Sequence, residues 1–323
     1  MLPLDYSAAL NATATSSASS DPELIAVRDH LIRLDPNGER FSLVLRDTID
    51  QLLNGEVTGR YDWGTLLKTE KTHAGSLVEI NLQREFKFAD GESMDYRIAG
   101  IEVDCKFSQR FGSWMIPPEA IGHLCLVVWA DDMKSQWRAG LIRIQEEILN
   151  QKSNRDRKLT IKAEHRNKIY WLMPDGKLPE NVLLHMPAVD RHAVLGQKSG
   201  QARVNELFRR VQQRRITRNV VRTAAQQKDY MKRVRGNGGA RSSLRRHGIL
   251  IMGDYRKHQQ VAADLQVPVP REGEFVSVRV TRAQNGQHAR PRVYLEGDWW
   301  AVAGDQDPAE SAPTLPKTRN SDA

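Results

Sequence analysis

At 323 residues the chain exceeds one ordinary domain, and its 40% apolar content suffices for two packed cores. It has no apolar run of the roughly 18 residues that a membrane helix needs, and Met1 to Ser20, without a basic start, reads as a frayed tail, so a cytoplasmic protein is expected. The net charge of +8 is uneven, with 22 Lys/Arg against 25 Asp/Glu in residues 1–171 and 26 against 15 in residues 172–323, which points the second half toward a polyanion.

Apolar residues three and four apart predict helices over Pro22–Leu34 and Arg40–Leu53, with Asn54-Gly55 as the stop, and a third over Thr72–Phe88. Thr69, Glu70 and His73 before the third helix suit a cap. The period then changes to two, and Met94–Ile98 and Ile101–Phe107, joined by Ala99-Gly100, predict a hairpin. His123–Ala130 is a continuous apolar run fit for a central strand; Gly140–Gln151 and Thr160–Leu172 add strand or helix. Cys105 and Cys125 lie in these apolar runs, so buried thiols are expected rather than a disulfide. Helices flanking a mixed central sheet, an α/β (α+β) core, fit this order.

Pro174, Gly176 and Pro179 mark residues 172–181 as a linker, which divides an N-terminal domain, 1–171, from a C-terminal one, 182–304, with a disordered tail over 305–323. Helices over Ala202–Ile216, Arg218–Gln227, Tyr230–Arg235 and Ala240–Arg246 precede short strands at Ile249–Met252, Phe275–Val280, Arg292–Leu295 and Trp299–Val302, an order suggesting a winged helix-turn-helix.

The chemistry concentrates in Ile101–Phe107. Strand alternation puts Glu102, Asp104 and Lys106 on the face opposite Ile101, Val103, Cys105 and Phe107, with Asp95 across the hairpin and Glu79 on the preceding helix. Converging carboxylates bind a hard cation such as Mg2+ through oxygen, and an adjacent amine can orient a water and offset charge on a phosphorane-like transition state. An Asp-x-Lys triplet alone more often marks a solvated ion pair; the upstream Asp95, Glu79 and a basic partner domain bring the nuclease reading level with it. No His-x-x-x-His or Cys-x-x-Cys pair points to zinc, and no phosphate-binding loop points to nucleotide hydrolysis. Leu52-Leu53-Asn54-Gly55 lacks the Lys and Asp of a ligase-like Lys-x-Asp-Gly and reads as a helix end.

Between Arg203 and Arg246 stand 14 basic residues and two acidic ones, the footprint of nucleic acid. Lys232, Arg233 and Arg235 precede Gly236-Asn-Gly-Gly239, and Arg241, Ser242, Arg245 and Arg246 follow, so these seven are the candidate DNA contacts, chiefly to phosphates.

Long stretches resemble the NaeI family of type IIE restriction endonucleases. They include Val44-Leu-Arg-Asp-Thr-Ile-Asp-Gln-Leu52, Lys68-Thr-Glu-Lys-Thr-His73, Leu77-Val-Glu79-Ile-Asn-Leu82, Val103-Asp-Cys-Lys-Phe-Ser108 and Trp114-Met-Ile-Pro-Pro-Glu119, then Ile121-Gly-His-Leu-Cys-Leu126, Gly200–Val211 and Met231–Ser242. The resemblance implies a nuclease core of the PD-(D/E)xK class and a C-terminal domain like that of the catabolite activator protein. It implies a homodimer that binds two double-stranded DNA sites, GCCGGC, one cleaved and one an allosteric effector. The implied catalytic residues are Glu79, Asp95, Asp104 and Lys106, with Mg2+ held by Glu79, Asp95, Asp104 and the Cys105 backbone carbonyl. Met94 stands where the class name has Pro. Two other readings are a structure-selective repair or junction nuclease on the same core and a DNA-binding regulator with a dead nuclease domain.

Overall fold

A computed structural model describes residues 21–152, 155–283 and 290–316; the expected N-terminal tail lies outside them. Two compact units result, Met1–Leu52 with Trp63–Pro179, and Leu53–Asp62 with Glu180–Ala323.

The helices α1 (Pro22–Leu34) and α2 (Glu39–Leu53) start the first unit, α3 (Gly55–Thr58) belongs to the second, and α4 (Lys68–Phe86) returns to the first. Asp21 caps α1 by accepting the Leu24 N–H, with Pro22 in the first turn, where its missing N–H costs nothing. Asn54 ends α2 at a φ of 46°, in the left-handed region Asn tolerates. Glu70 accepts the Leu67 N–H at 2.7 Å, so the polar cluster there is a cap and α4 starts a turn earlier than its apolar pattern suggests. Ala74, Val78, Leu82 and Phe86, each four residues on from the last, form its buried stripe.

The sheet runs in chain order: β1 (Ala89–Asp90), β2 (Tyr96–Ile98), β3 (Ile101–Ser108), β4 (Leu124–Asp131), β5 (Gln136–Arg143) and β6 (Tyr170–Lys177). Only β3 and β4 pair in parallel. In the β2–β3 turn Ala99 and Gly100 have φ of 51° and 82°, the double positive φ that lets a two-residue loop match strand twist. All of β4 but Asp131 is buried. At the β4–β5 turn Asp132 pairs with Arg46 of α2 at 2.5 Å, with side-chain exposures of 1% and 3%, and Asp50 takes the same guanidinium at 2.7 Å.

Two boundaries differ from the sequence reading. The expected linker is strand as far as Lys177: β6 is a sheet edge, where Pro174 forfeits no ladder bond, and Gly176 is needed because a Cβ there would sit 2.3 Å from the Trp137 ring. Of the expected disordered tail, residues 305–316 are ordered, with Ala312 buried and its N–H donated to the Arg245 carbonyl; residues 317–323 lie outside the described part.

The second unit contains α5 (Val182–His185), α6 (Ala188–Leu195), α7 (Gly200–Arg210), β7 (Arg215–Thr217), α8 (Arg218–Ala225) and a 3-10 turn at Tyr230–Arg233. After it come α9 (Ala240–Arg245), β8 (Ile249–Met252), α10 (Arg256–Asp264), β9 (Glu274–Arg282), β10 (Arg292–Leu295) and β11 (Asp298–Val302). β9 pairs antiparallel with β7, β8 and β11. The helix expected over Ala202–Ile216 stops at Arg210, and Ile216 enters β7, where Ser277 of β9 accepts the Gln213 N–H through its carbonyl. Val204, Leu207 and Phe208 of α7 and Val220, Val221 and Ala224 of α8 share one apolar core.

Candidate active site

Asp95 precedes β2, and Asp104 and Lys106 project from β3 beside their register partners Cys125 and Val127 on β4. On the other face Tyr96 reaches α4, donating its hydroxyl to the Glu79 carbonyl at 2.7 Å. That bond ties the helix carrying Glu79 to the hairpin carrying the other three residues. The structure thus brings all four sequence-predicted catalytic residues into one neighbourhood: the Glu79 carboxyl is raised above its ordinary range first by burial, then by the charge of Asp95.

The Lys106 ammonium donates to Asp104 Oδ1 at 2.5 Å, to the Cys105 carbonyl at 2.8 Å and to Asp95 Oδ2 at 3.3 Å. Asp95 Oδ2 also accepts the Cys105 N–H at 2.7 Å, which fixes its direction. Asp104 is 4% exposed, and its pKa is raised by burial, with Lys106 opposing the shift. Burial works to lower the pKa of Lys106, but Asp104 and Asp95 outweigh it, so the amine is held protonated. Three oxygens therefore converge on one cation. Among the described residues no group of three or more His, Cys, Asp or Glu side chains is arranged for a metal. The donor set here is two carboxylates and a peptide carbonyl, all hard oxygen, the kind that suits Mg2+ rather than zinc. An ammonium resting among them is the observation that the pocket accommodates positive charge.

Two neighbours have partners that the sequence does not reveal. The buried Cys125 thiol lies 3.6 Å from Asp104 Oδ2, a weak donor to the oxygen that Lys106 leaves free. Glu102, although on the same strand face as Asp104, accepts the backbone N–H groups of Glu92, Ser93 and Met94 at 2.9–3.0 Å. Those amides, Ser93 first, lower its pKa to about 2. Alternation could name Glu102 as a face-mate but not reveal its partners.

In the second unit the candidate DNA contacts separate. Lys232, Arg235, Arg245 and Arg246 are exposed, and Arg233 is half-buried, bonded to Gln227 at 2.6 Å. Lys232 pairs with Asp229 at 3.1 Å and Arg245 donates to Thr314 at 2.6 Å. Arg241 instead turns inward, donating to the Ile251 carbonyl at 2.9 Å, and burial lowers its pKa. The Ser242 hydroxyl closes a local turn on the Gly239 carbonyl at 2.9 Å.

A strand-borne Asp-x-Lys with an upstream Asp, three oxygens around one ammonium and a basic second half are compatible with an enzyme that hydrolyses phosphodiesters in DNA. Comparison with known proteins places the chain among the type II restriction endonucleases, site-specific deoxyribonucleases: the type II restriction enzyme NaeI of Lentzea aerocolonigenes is 52% identical over 307 residues, 93% of this chain and 96% of that one. The family model described as restriction endonuclease NaeI matches residues 25–311, and the chain belongs to that family. It binds and cuts double-stranded DNA. Among the described residues no helix is long and apolar enough to cross a membrane.

Proposed function

We propose that the chain is a Mg2+-dependent type IIE restriction endonuclease of the PD-(D/E)xK class that cuts both strands of the palindrome GCCGGC. A second copy of that site, bound by the basic unit, would activate it. The observation that carries the metal and site assignment is the convergence of Asp104 Oδ1, the Cys105 carbonyl and Asp95 Oδ2 on one ammonium. Asp95, Asp104, the Cys105 carbonyl and Glu79 would hold the cation, which when bound polarises the scissile phosphate and acidifies a water. Lys106 stays protonated and supplies a mobile donor for that water and for the charge developing on phosphorus. The Cys105 N–H keeps Asp95 aimed inward, and burial of Asp104 strengthens its attraction for any cation.

A palindrome cut on both strands needs two sites related by a dyad, which a homodimer supplies with one site per protomer. For the second unit, α7, β7, α8, α9, β8 and β9, with the 3-10 turn between α8 and α9 and α10 inserted between β8 and β9, support a winged helix-turn-helix with α9 in the recognition position; exposed Arg235, Arg245 and Arg246 favour phosphate contact there. Activity in the cytoplasm, where DNA lies, follows from that substrate.

The test is digestion of plasmids carrying one or two GCCGGC sites with Mg2+, followed by end mapping, beside Asp104→Ala. Faster cutting of the two-site plasmid, lost in the variant with DNA binding retained, supports the reading. Equal rates on one and two sites would remove the effector role, and cutting of branched DNA regardless of sequence would favour a junction nuclease.

A further inference from the structure

Of the three acidic or basic side chains that alternation places on one face of β3, two reach the cation pocket and the third does not. Glu102 points its carboxylate at the β1–β2 turn, where its two oxygens take the N–H groups of Glu92, Ser93 and Met94 in succession. Three consecutive amides bound to one carboxylate form a nest that fixes the backbone of all three residues. The next residue is Asp95. The turn has no slack on its other side: a Cβ at Gly91 would lie 2.1 Å from the Met94 carbonyl and 3.0 Å from Glu102 Oε2, so glycine lets the chain close tightly around the carboxylate. Arg97 adds only a peripheral contact at 3.3 Å, and it is shared with the exposed Glu92.

We propose that Glu102 is a positioning residue for Asp95: its carboxylate is the template around which Glu92–Met94 fold, and it sets where the Asp95 oxygens stand without touching cation or DNA. With its lone pairs committed to four N–H groups it is not a ligand. It acts from behind, as the groups that orient metal ligands do, and the loss of such a group costs about 10–100-fold in metal affinity. The inference rests on Asp95 being a cation ligand, as proposed above.

The experiment measures Mn2+ binding to the metal-free protein by calorimetry, without DNA, alongside the Mg2+ concentration for half-maximal cleavage, DNA binding without metal, and the thermal midpoint. For Glu102→Ala, Mn2+ affinity falls about 10–100-fold, half-maximal Mg2+ rises in step, the rate at saturating Mg2+ stays within about threefold, and metal-free DNA binding is kept. Glu102→Gln keeps the size and one accepting oxygen and lies between wild type and Glu102→Ala. Arg97→Ala leaves the three amide bonds and binds Mn2+ as wild type does. Wild-type Mn2+ affinity in folded Glu102→Ala overturns the proposal; if that variant does not fold, wild-type affinity in Glu102→Gln does so. A rate loss that saturating Mg2+ does not restore overturns it as well. Asp95→Asn separates the two readings, because a variant that still binds Mn2+ and cuts refutes the role of Asp95 itself, whereas its inactivity beside a normal Glu102→Ala refutes only the positioning.

Discussion

In the proposed site the Lys106 ammonium rests among the oxygens that would hold the cation, so the two would compete, and removing the amine should strengthen metal binding while destroying catalysis. In Lys106→Met the apolar chain keeps much of the volume but makes none of the three bonds to Asp104, the Cys105 carbonyl and Asp95. Bonds to charged groups contribute about 1.5–3 kcal/mol each, largely recovered when the freed ammonium meets water or substrate, so a net gain for the metal of about 1–3 kcal/mol is reasonable, roughly 5–150-fold in affinity. An opposing effect is built in. Lys106 opposes the burial-driven rise of the Asp104 pKa, so its loss lets that pKa rise further, and the metal must then displace a proton. Each pH unit below the new pKa offsets about 1.36 kcal/mol of the gain. The assay is Mn2+ calorimetry on wild type and Lys106→Met in buffers of different ionisation enthalpy, from pH 6 to 8.5. The variant should bind more tightly at pH 8.5, release about one more proton than wild type near neutrality, and cut no DNA. Binding no tighter than wild type at pH 8.5 would refute the competition.

Other outcomes follow from the same geometry. Asp132→Ala leaves Arg46, 3% exposed, with Asp50 alone in the interior, and should destabilise the first unit by about 3 kcal/mol, seen as a midpoint lowered by roughly 6–12 °C in calorimetry. Asp50 itself has its pKa pushed up to about 6 by burial, against Arg46, so the folded state holds the extra proton and stability should decline as pH rises from about 4 to about 6, a slope that Asp50→Asn removes from urea titrations. Since Asp104 must be ionised to hold a cation and its pKa is raised, cleavage should climb with pH above the ordinary aspartate range, and Glu102→Ala should keep that limb. Arg245→Ala and Arg246→Ala should each lower the salt slope of DNA binding by about 1, whereas Arg241→Ala should lower the thermal stability of the second unit and leave the slope alone.

Amphipathic periodicity and short apolar runs make several elements legible. The Pro22–Leu34 helix and the Ile249–Met252 and Arg292–Leu295 strands have the bounds their patterns suggest. They fail where composition and context disagree. Pro174 and Gly176 spell a linker in any local reading, and only the position of β6 at a sheet edge, with Trp137 against Gly176, makes them strand residues. The segment Leu53–Asp62 joins the second unit long before the chain's main passage into it, a return no window of sequence can show. The helix Arg256–Asp264 is not legible in the sequence because its buried face is only His258, Val261 and Ala262, too sparse a stripe for a 3.6-residue period.

The site divides along the same line. Residue type and a period of two are enough to nominate Asp95, Asp104 and Lys106, because the groups that meet a cation must share a face and carry oxygen or charge. The groups that hold them there obey no such rule. Glu102 satisfies every criterion for a ligand yet is consumed by backbone amides, Arg241 has the composition of a DNA contact yet is consumed by the Ile251 carbonyl, and Cys125 meets Asp104 only because two parallel strands bring them into register. In each case the role is set by the partner that the fold brings to the side chain: three backbone amides for Glu102, a backbone carbonyl for Arg241 and a carboxylate for Cys125. A charged residue next to an active site is therefore best assigned by subtracting its structural bonds first. What remains after that subtraction here is one ammonium, two carboxylates, one carbonyl and the half-buried Glu79, the set on which the proposed cation site rests.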